Sequence, residues 1–256
     1  MGGTDEQAPN PLASPRFIVA AIAMAALVVG LAWVIVDHRA GDAPAAEAAS
    51  PSASTSAPAS GASPTGTETA ESAPAGGAES ACGLAAADAS VPSAAIPSVP
   101  VEVGERLSVP SLEGAGPGVT SGISHCFAHT PTGAVLAAAN FLTWFSSQQQ
   151  LPDVVASLMA DSPDRANLAA QVQAGWSGQT TSPLEVRGFR FEDRGPDNAL
   201  VVLAVSSTVY PDQLAAWPVP LTWKDGDWLV VAPASDSWGE RAIGSLEVEG
   251  FIEWGA

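Results

Sequence analysis

Read for hydrophobic and polar spacing alone, the chain opens with a continuous apolar run, passes through a stretch with nothing large to bury, and ends in a region of alternating periodicities. Phe17 to Val36, FIVAAIAMAALVVGLAWVIV, is an uncharged run of 20 residues bracketed by Arg16 and by Asp37, His38 and Arg39. Such a length crosses a bilayer core as a helix, and it exceeds the roughly 7 to 15 apolar residues of a cleaved signal peptide. Cleavage is the competing reading, because DAPAAEA offers small residues to a peptidase.

Residues 37–81 are almost wholly Ala, Ser, Pro, Gly and Thr with a few acids, a composition that cannot bury a core and is expected to form a disordered linker. As a flexible coil such a tether reaches about 35 Å, enough to lift a domain off a membrane. Its Ser/Thr-Pro content also permits O-glycosylation. Residues 82–124 carry scattered prolines, short β-like pieces (SVPVEV, RLSVP) and the breaker run EGAGPGVTSG, which predicts an irregular lead-in draped over the following domain.

Helical spacing starts at Thr130-Pro131, an N-cap followed by a proline suited to the first helical position, and continues through Val135, Ala138, Ala139, Leu142 and Phe145. Leu136, Phe141 and Trp144 widen the apolar stripe past one face, so this helix is expected to be packed on two sides, against a curved sheet and against further helices in LPDVVASLMA and PDRANLAAQV. After Ser182 the period falls to two. Leu184 and Val186 lie in one phase and Phe189 and Phe191 in the other, with Gly188 at the switch, which predicts a bulge and a bend there. ALVVLAVSSTVY reads as the next strand, and PLTWKDGDWLVVAP as a tight hairpin around Asp225-Gly226. That loop pairs Lys224 with Asp227, Trp223 with Trp228 and Leu221 with Val230, putting the large apolar residues on one face and a salt pair beside the turn. Helices followed by three or four antiparallel strands make residues 125–256 an α+β domain with helices on one face of a bent sheet.

Charge narrows the function classes. The formal net charge is -18, with Lys224 the sole lysine, so no basic stripe exists to displace counterions from phosphates, and direct nucleic-acid binding is not expected. Arg16 and Arg39 nearly cancel in the positive-inside count, and cysteine usage decides the orientation instead. Cys82 and Cys126 both lie on the long C-terminal side, and an even pair in a small domain fits an oxidising compartment. Residues 1–16 are therefore expected to be cytoplasmic and residues 125–256 extracytoplasmic. A Cys82–Cys126 bridge would close a loop contributing about 4 kcal/mol in the chain-entropy model; two unpaired thiols are the alternative that sequence leaves open.

Candidate chemistry is sparse. His125 and His129 are four apart, but Thr130-Pro131 starts the helix after both, so the pair does not share a helical face as zinc ligands would. A Cys126-His125 nucleophile meets the objection that neighbours in an extended chain point to opposite sides. The acids at Glu192-Asp193 and at Asp225 to Asp227 fall at turns, where solvation is the expectation. Of the eight tryptophans, Trp144, Trp176, Trp217, Trp223, Trp228, Trp238 and Trp254 lie in the domain, where most fit core or hairpin positions and some could line a groove for sugars or peptide. No catalytic residue, metal ligand or cofactor is assigned.

HCFAHTPTGAVLAAANFLTW, PLTWKDGDWLVVAP and the closing GFIEWG resemble uncharacterised membrane proteins of high-GC Gram-positive bacteria associated with integrative conjugative elements. Those proteins are similar in turn to the bitopic bridging subunits of type IV secretion systems, whose extracytoplasmic domain has the cone-shaped fold of nuclear transport factor two. The resemblance covers roughly residues 100–256 and the anchor, and Phe127 to Ala134 is its most specific piece. It implies a non-enzymatic subunit of a conjugative DNA-transfer apparatus. The expected partners are the lipid bilayer through Phe17 to Val36 and other membrane channel subunits, with a homo-oligomer as a further option. A membrane-tethered wall-binding or sensor module is the alternative.

Overall fold

A computed structural model describes residues 79–235 and 237–255. The apolar run Phe17 to Val36 and all but the end of the linker lie outside the described residues. Among the described residues no helix is long and apolar enough to cross a membrane.

The domain is α+β. A hairpin of β1 (Val99–Val103) and β2 (Leu107–Ser111) precedes three helices, α1 (Pro131–Ser147), α2 (Leu151–Leu158) and α3 (Pro163–Gly175). There follow β3 (Glu185–Asp193), β4 (Asn198–Ser206), β5 (Leu214–Lys224), β6 (Asp227–Val230), β7 (Arg241–Ile243) and β8 (Ile252–Glu253). These last six form one antiparallel sheet in the order β6-β5-β4-β3-β8, with β7 beside the start of β5. The sheet thus has more strands than the three or four read from sequence. The extra ones, RAI and IE, are too short to display a period of two.

The start of α1 is set locally. Thr130 is extended, its Oγ1 accepts the Gly133 N–H at 3.0 Å, and Pro131 occupies the first turn. The helix stops where Gln148 turns left-handed. Its width of apolar surface has a direct consequence: Ala134, Val135, Leu136, Ala138, Ala139 and Leu142 are 0% exposed. The sheet covers one side. The other side is covered by α2 and by the β1–β2 hairpin, which sends Val103, Leu107 and Val109 into the same core. The lead-in is therefore not irregular throughout; part of it is a hairpin that seals the central helix. A buried polar knot ties it down further. Ser124 Oγ accepts the Trp144 indole N–H at 2.8 Å and donates to Asn140 Oδ1, and Asn140 Nδ2 donates to the Ser124 carbonyl at 2.8 Å.

Register in β3 shifts by one residue between Val186 and Gly188 against β4. The extra residue returns Leu184, Val186, Phe189 and Phe191 to the face that packs on α1. A Cβ on Gly188 would come within 2.7 Å of the Ile252 carbonyl, so glycine is also what lets β8 approach. Two prolines, Pro218 and Pro220, sit inside β5, where a missing N–H would normally cost a ladder bond. The Pro220 carbonyl accepts from Val231 N–H at 2.9 Å, so both prolines present their nitrogens to the side away from β4 and the β4–β5 ladder keeps its bonds.

Candidate functional site

The polar groups that the fold organises most densely lie where the cysteine-histidine segment meets the β5–β6 hairpin. The hairpin's pairs are Leu221 with Val230, Thr222 with Leu229, Trp223 with Trp228 and Lys224 with Asp227. Asp225 and Gly226 both have positive φ, 55° and 82°, the combination a two-residue I′ turn requires. This geometry brings Trp223, Asp227 and Trp228 against residues 126–129.

Asp227 makes the first contact. The expected ion pair with Lys224 is not formed; instead Asp227 Oδ2 accepts the Cys126 N–H at 2.7 Å, and Oδ1 accepts the N–H groups of Phe127 and Trp228, both at 2.8 Å. The reason lies in the Cys126 backbone. Its φ is 71°, not the extended value assumed for the segment, and a left-handed residue turns successive N–H groups toward one side, making a concavity that takes an anion. The Asp227 carboxylate fills that concavity from within the chain. Burial pushes the carboxyl above its ordinary pKa, and the three N–H groups and the nearby His125 oppose that rise.

The remaining contacts follow in order. The Trp228 indole N–H donates to the Ala128 carbonyl at 3.0 Å. His129 stacks on Trp223, with ring centroids 4.1 Å apart and planes 10° from parallel, and meets Trp228 edge-on at 5.3 Å. Its Nε2 lies 2.8 Å from the Pro196 carbonyl and 3.4 Å from Asp197 Oδ1, both acceptors, which assigns the ring proton to Nε2. Nδ1 is buried without a partner. His125 is exposed, with Nδ1 against the Ile123 carbonyl at 2.8 Å.

Cys82 and Cys126 are bonded, S–S 2.08 Å, and lie beside this clamp. Cys126 is 2% exposed, whereas Cys82 is at the surface. Together with Ala81, His125, Lys224 and Asp227 they line an open cleft of about 330 Å³. Next to it the Ala81 N–H donates to the Gly226 carbonyl at 2.9 Å.

Both sulfurs are committed to each other, Asp227 is engaged by three backbone donors, and among the described residues no group of three or more His, Cys, Asp and Glu side chains is placed to hold a metal ion. The acids Glu192 and Asp193 sit at the exposed end of β3, where Glu192 pairs with Arg194 at 3.2 Å. Sequence reasoning placed Asp227 among solvated turn acids and so missed its role. The signal for it is not local, since its partners Cys126 and Phe127 lie 101 and 100 residues earlier.

Fold and clamp together define a disulfide-stapled α+β domain. Residues 62–253, three-quarters of the chain, match the family model described as Domain of unknown function (DUF8175), and the chain belongs to that family. The match begins inside the stretch read as linker. No curated protein and no solved structure matches the chain.

Proposed function

We propose that the protein is a non-enzymatic, membrane-anchored subunit of a conjugative, type IV secretion-like apparatus, working through protein–protein assembly of an extracytoplasmic domain. The observation that carries this reading is the Cys82–Cys126 bridge, which joins the end of the tether covalently to the domain. Such a joint persists in an oxidising compartment, on the far side of a membrane from the cytosol. The apolar run Phe17 to Val36 supports the anchor, the acidic balance argues against direct contact with DNA, and the motif Phe127 to Ala134 supports the conjugative assignment. Helices gathered on one face of a bent antiparallel sheet are compatible with the cone of nuclear transport factor two. With α1 buried against the sheet, recognition would fall to the outer surfaces.

A wall-binding or sensor module is the second reading. What favours it is the half-buried cluster of Phe145, Trp217 and Trp238, in which the Trp217 indole N–H is buried without a partner.

The deciding experiment is transfer frequency of the host's mobile element after clean deletion, complemented with the whole protein or with a version lacking residues 1–39. A large drop restored only by the anchored form supports the first reading. Unchanged transfer sinks it.

A further inference from the structure

We propose that the Cys82–Cys126 disulfide is a redox-sensitive setting of tether length: oxidised, the tether ends at Cys82; reduced, it ends at Ile96. This rests on the reading of residues 37–81 as a tether, and it concerns the described strap that follows them.

The strap is held at its two ends and hardly between. At the C-terminal end Ile96 is 3% exposed within the main core. At the N-terminal end stand the disulfide, the Ala81–Gly226 bond and the Cys82 N–H pointing at Cys126 Sγ at 3.1 Å. Among the described residues, 83–95 make no hydrogen bond outside the strap; their bonds close within it, as from Ser90 N–H to Asp88 Oδ1. Leu84, Ala86 and Pro92 are half-buried and the others exposed. The Ala81–Gly226 bond, the Cys82 N–H, the buried Ser80 and three half-buried side chains are weak against chain entropy of about 1 to 2 kcal/mol per ordered residue. The covalent bond is what keeps the segment down.

The two sides of the bridge answer differently to its loss. Cys126 stays in place without it, because Asp227 holds its N–H and that of Phe127, and the Gly118 N–H donates to its carbonyl at 2.7 Å. Cys82 has no comparable hold. Reduction therefore frees residues 79–95 while the domain keeps its clamp, adding a maximum of about 45 Å of extended chain between the anchor and the domain.

The chemistry is thiol–disulfide exchange with a protein dithiol on the same side of the membrane. One thiolate of that partner attacks Cys82 Sγ, the S–S bond breaks, and Cys126 leaves as a thiolate that accepts the Cys82 N–H and the Ser80 hydroxyl, the latter 3.7 Å from its sulfur. The partner's second thiol then displaces Cys82. The two electrons pass to this chain, the two thiol protons end on Cys82 and Cys126, and the partner is left as a disulfide. Lys224, His125, Asp225 and Asp227 face the cleft in which this occurs.

The test is energy transfer in the full chain in detergent between a donor on an azide-bearing residue at Glu79 and an acceptor on Lys224, the sole lysine, with the α-amine blocked. Dithiothreitol serves as the reductant, and free thiols are counted in parallel. On reduction, transfer is expected to fall at least twofold, with the same low value in Cys82→Ser/Cys126→Ser and with a cooperative unfolding transition retained in both. Unchanged transfer once two thiols are free would show the strap held without the bridge and overturn the proposal. Loss of the cooperative transition would overturn it too, since the bridge would then be a requirement of the fold. The assay needs neither a membrane nor a channel partner, so its result is independent of the conjugative reading.

Discussion

Two carboxylates close the two ends of this domain by opposite physics. At the Cys82–Cys126 junction Asp227 is half-buried, spends both oxygens on backbone N–H groups and is pushed above its ordinary pKa by burial. On the outer face of the sheet the segment carrying β7 and β8 is held by a small cluster of Val202, Ala204, Ala216, Ile243 and Phe251. There Glu249 meets Arg241 through two bonds, Oε1 to Nη1 at 3.1 Å and Oε2 to Nη2 at 2.5 Å, and its pKa is lowered by that pairing. The Arg190 guanidinium lies over Phe251 at 4.8 Å and donates to the Glu249 carbonyl at 2.9 Å. An unanswered buried N–H has no recourse to water, whereas a broken surface ion pair is replaced by hydration. The junction is thus the region where a single change matters, and the outer cover the region that tolerates it.

The largest expected effect breaks the junction covalently: Cys82→Ser with Cys126→Ser should lower unfolding free energy by as much as about 4 kcal/mol in urea titrations. Next comes Asp227→Ala, which leaves the N–H groups of Cys126, Phe127 and Trp228 without their acceptor and should cost about 2 to 3 kcal/mol. Asp227→Asn sharpens the comparison through pH. A folded-state pKa raised above the unfolded value gives a contribution present in full below the unfolded pKa and lost as pH rises through the folded one. The wild type should therefore gain stability relative to Asp227→Asn as pH falls from neutrality toward the ordinary carboxylate range. An advantage that shrinks on acidification would mean that the N–H groups, not burial, dominate. The smallest effect is Glu249→Gln, expected to leave the urea midpoint almost unmoved, with any small loss fading in high salt. A loss there comparable to that of Asp227→Ala would erase the contrast.

Much of the scaffold was legible in the sequence because its signals are local. Thr130-Pro131 carries its own cap, the slip of phase at Gly188 marks one extra residue, and the alternation through Trp223, Trp228, Leu221 and Val230 fixes a hairpin register about a two-residue turn. The clamp was not legible. Asp225 lies in the turn and Asp227 beside it, with the same side chain, and only the approach of Cys126 and Phe127 from about 100 residues away makes Asp227 the acceptor for a distant segment while Asp225 stays exposed. The β1–β2 cover of α1 was hidden for a related reason. Prolines within both strands obscure their alternation, and the pairing that makes them a hairpin is seen only against the helix that they seal.

By itself the sequence determined the period of the long elements, the start of α1, the tight turn at Asp225-Gly226 and the acidic balance, since these depend on neighbours a few residues away and on composition. The tertiary structure alone decided that Cys82 meets Cys126, that His129 stacks on Trp223, and that Asp227 turns inward rather than to Lys224. Those outcomes depend on which distant groups share a low-dielectric site, where an unpaired donor is costly and one available acceptor is claimed by whichever backbone the fold brings to it.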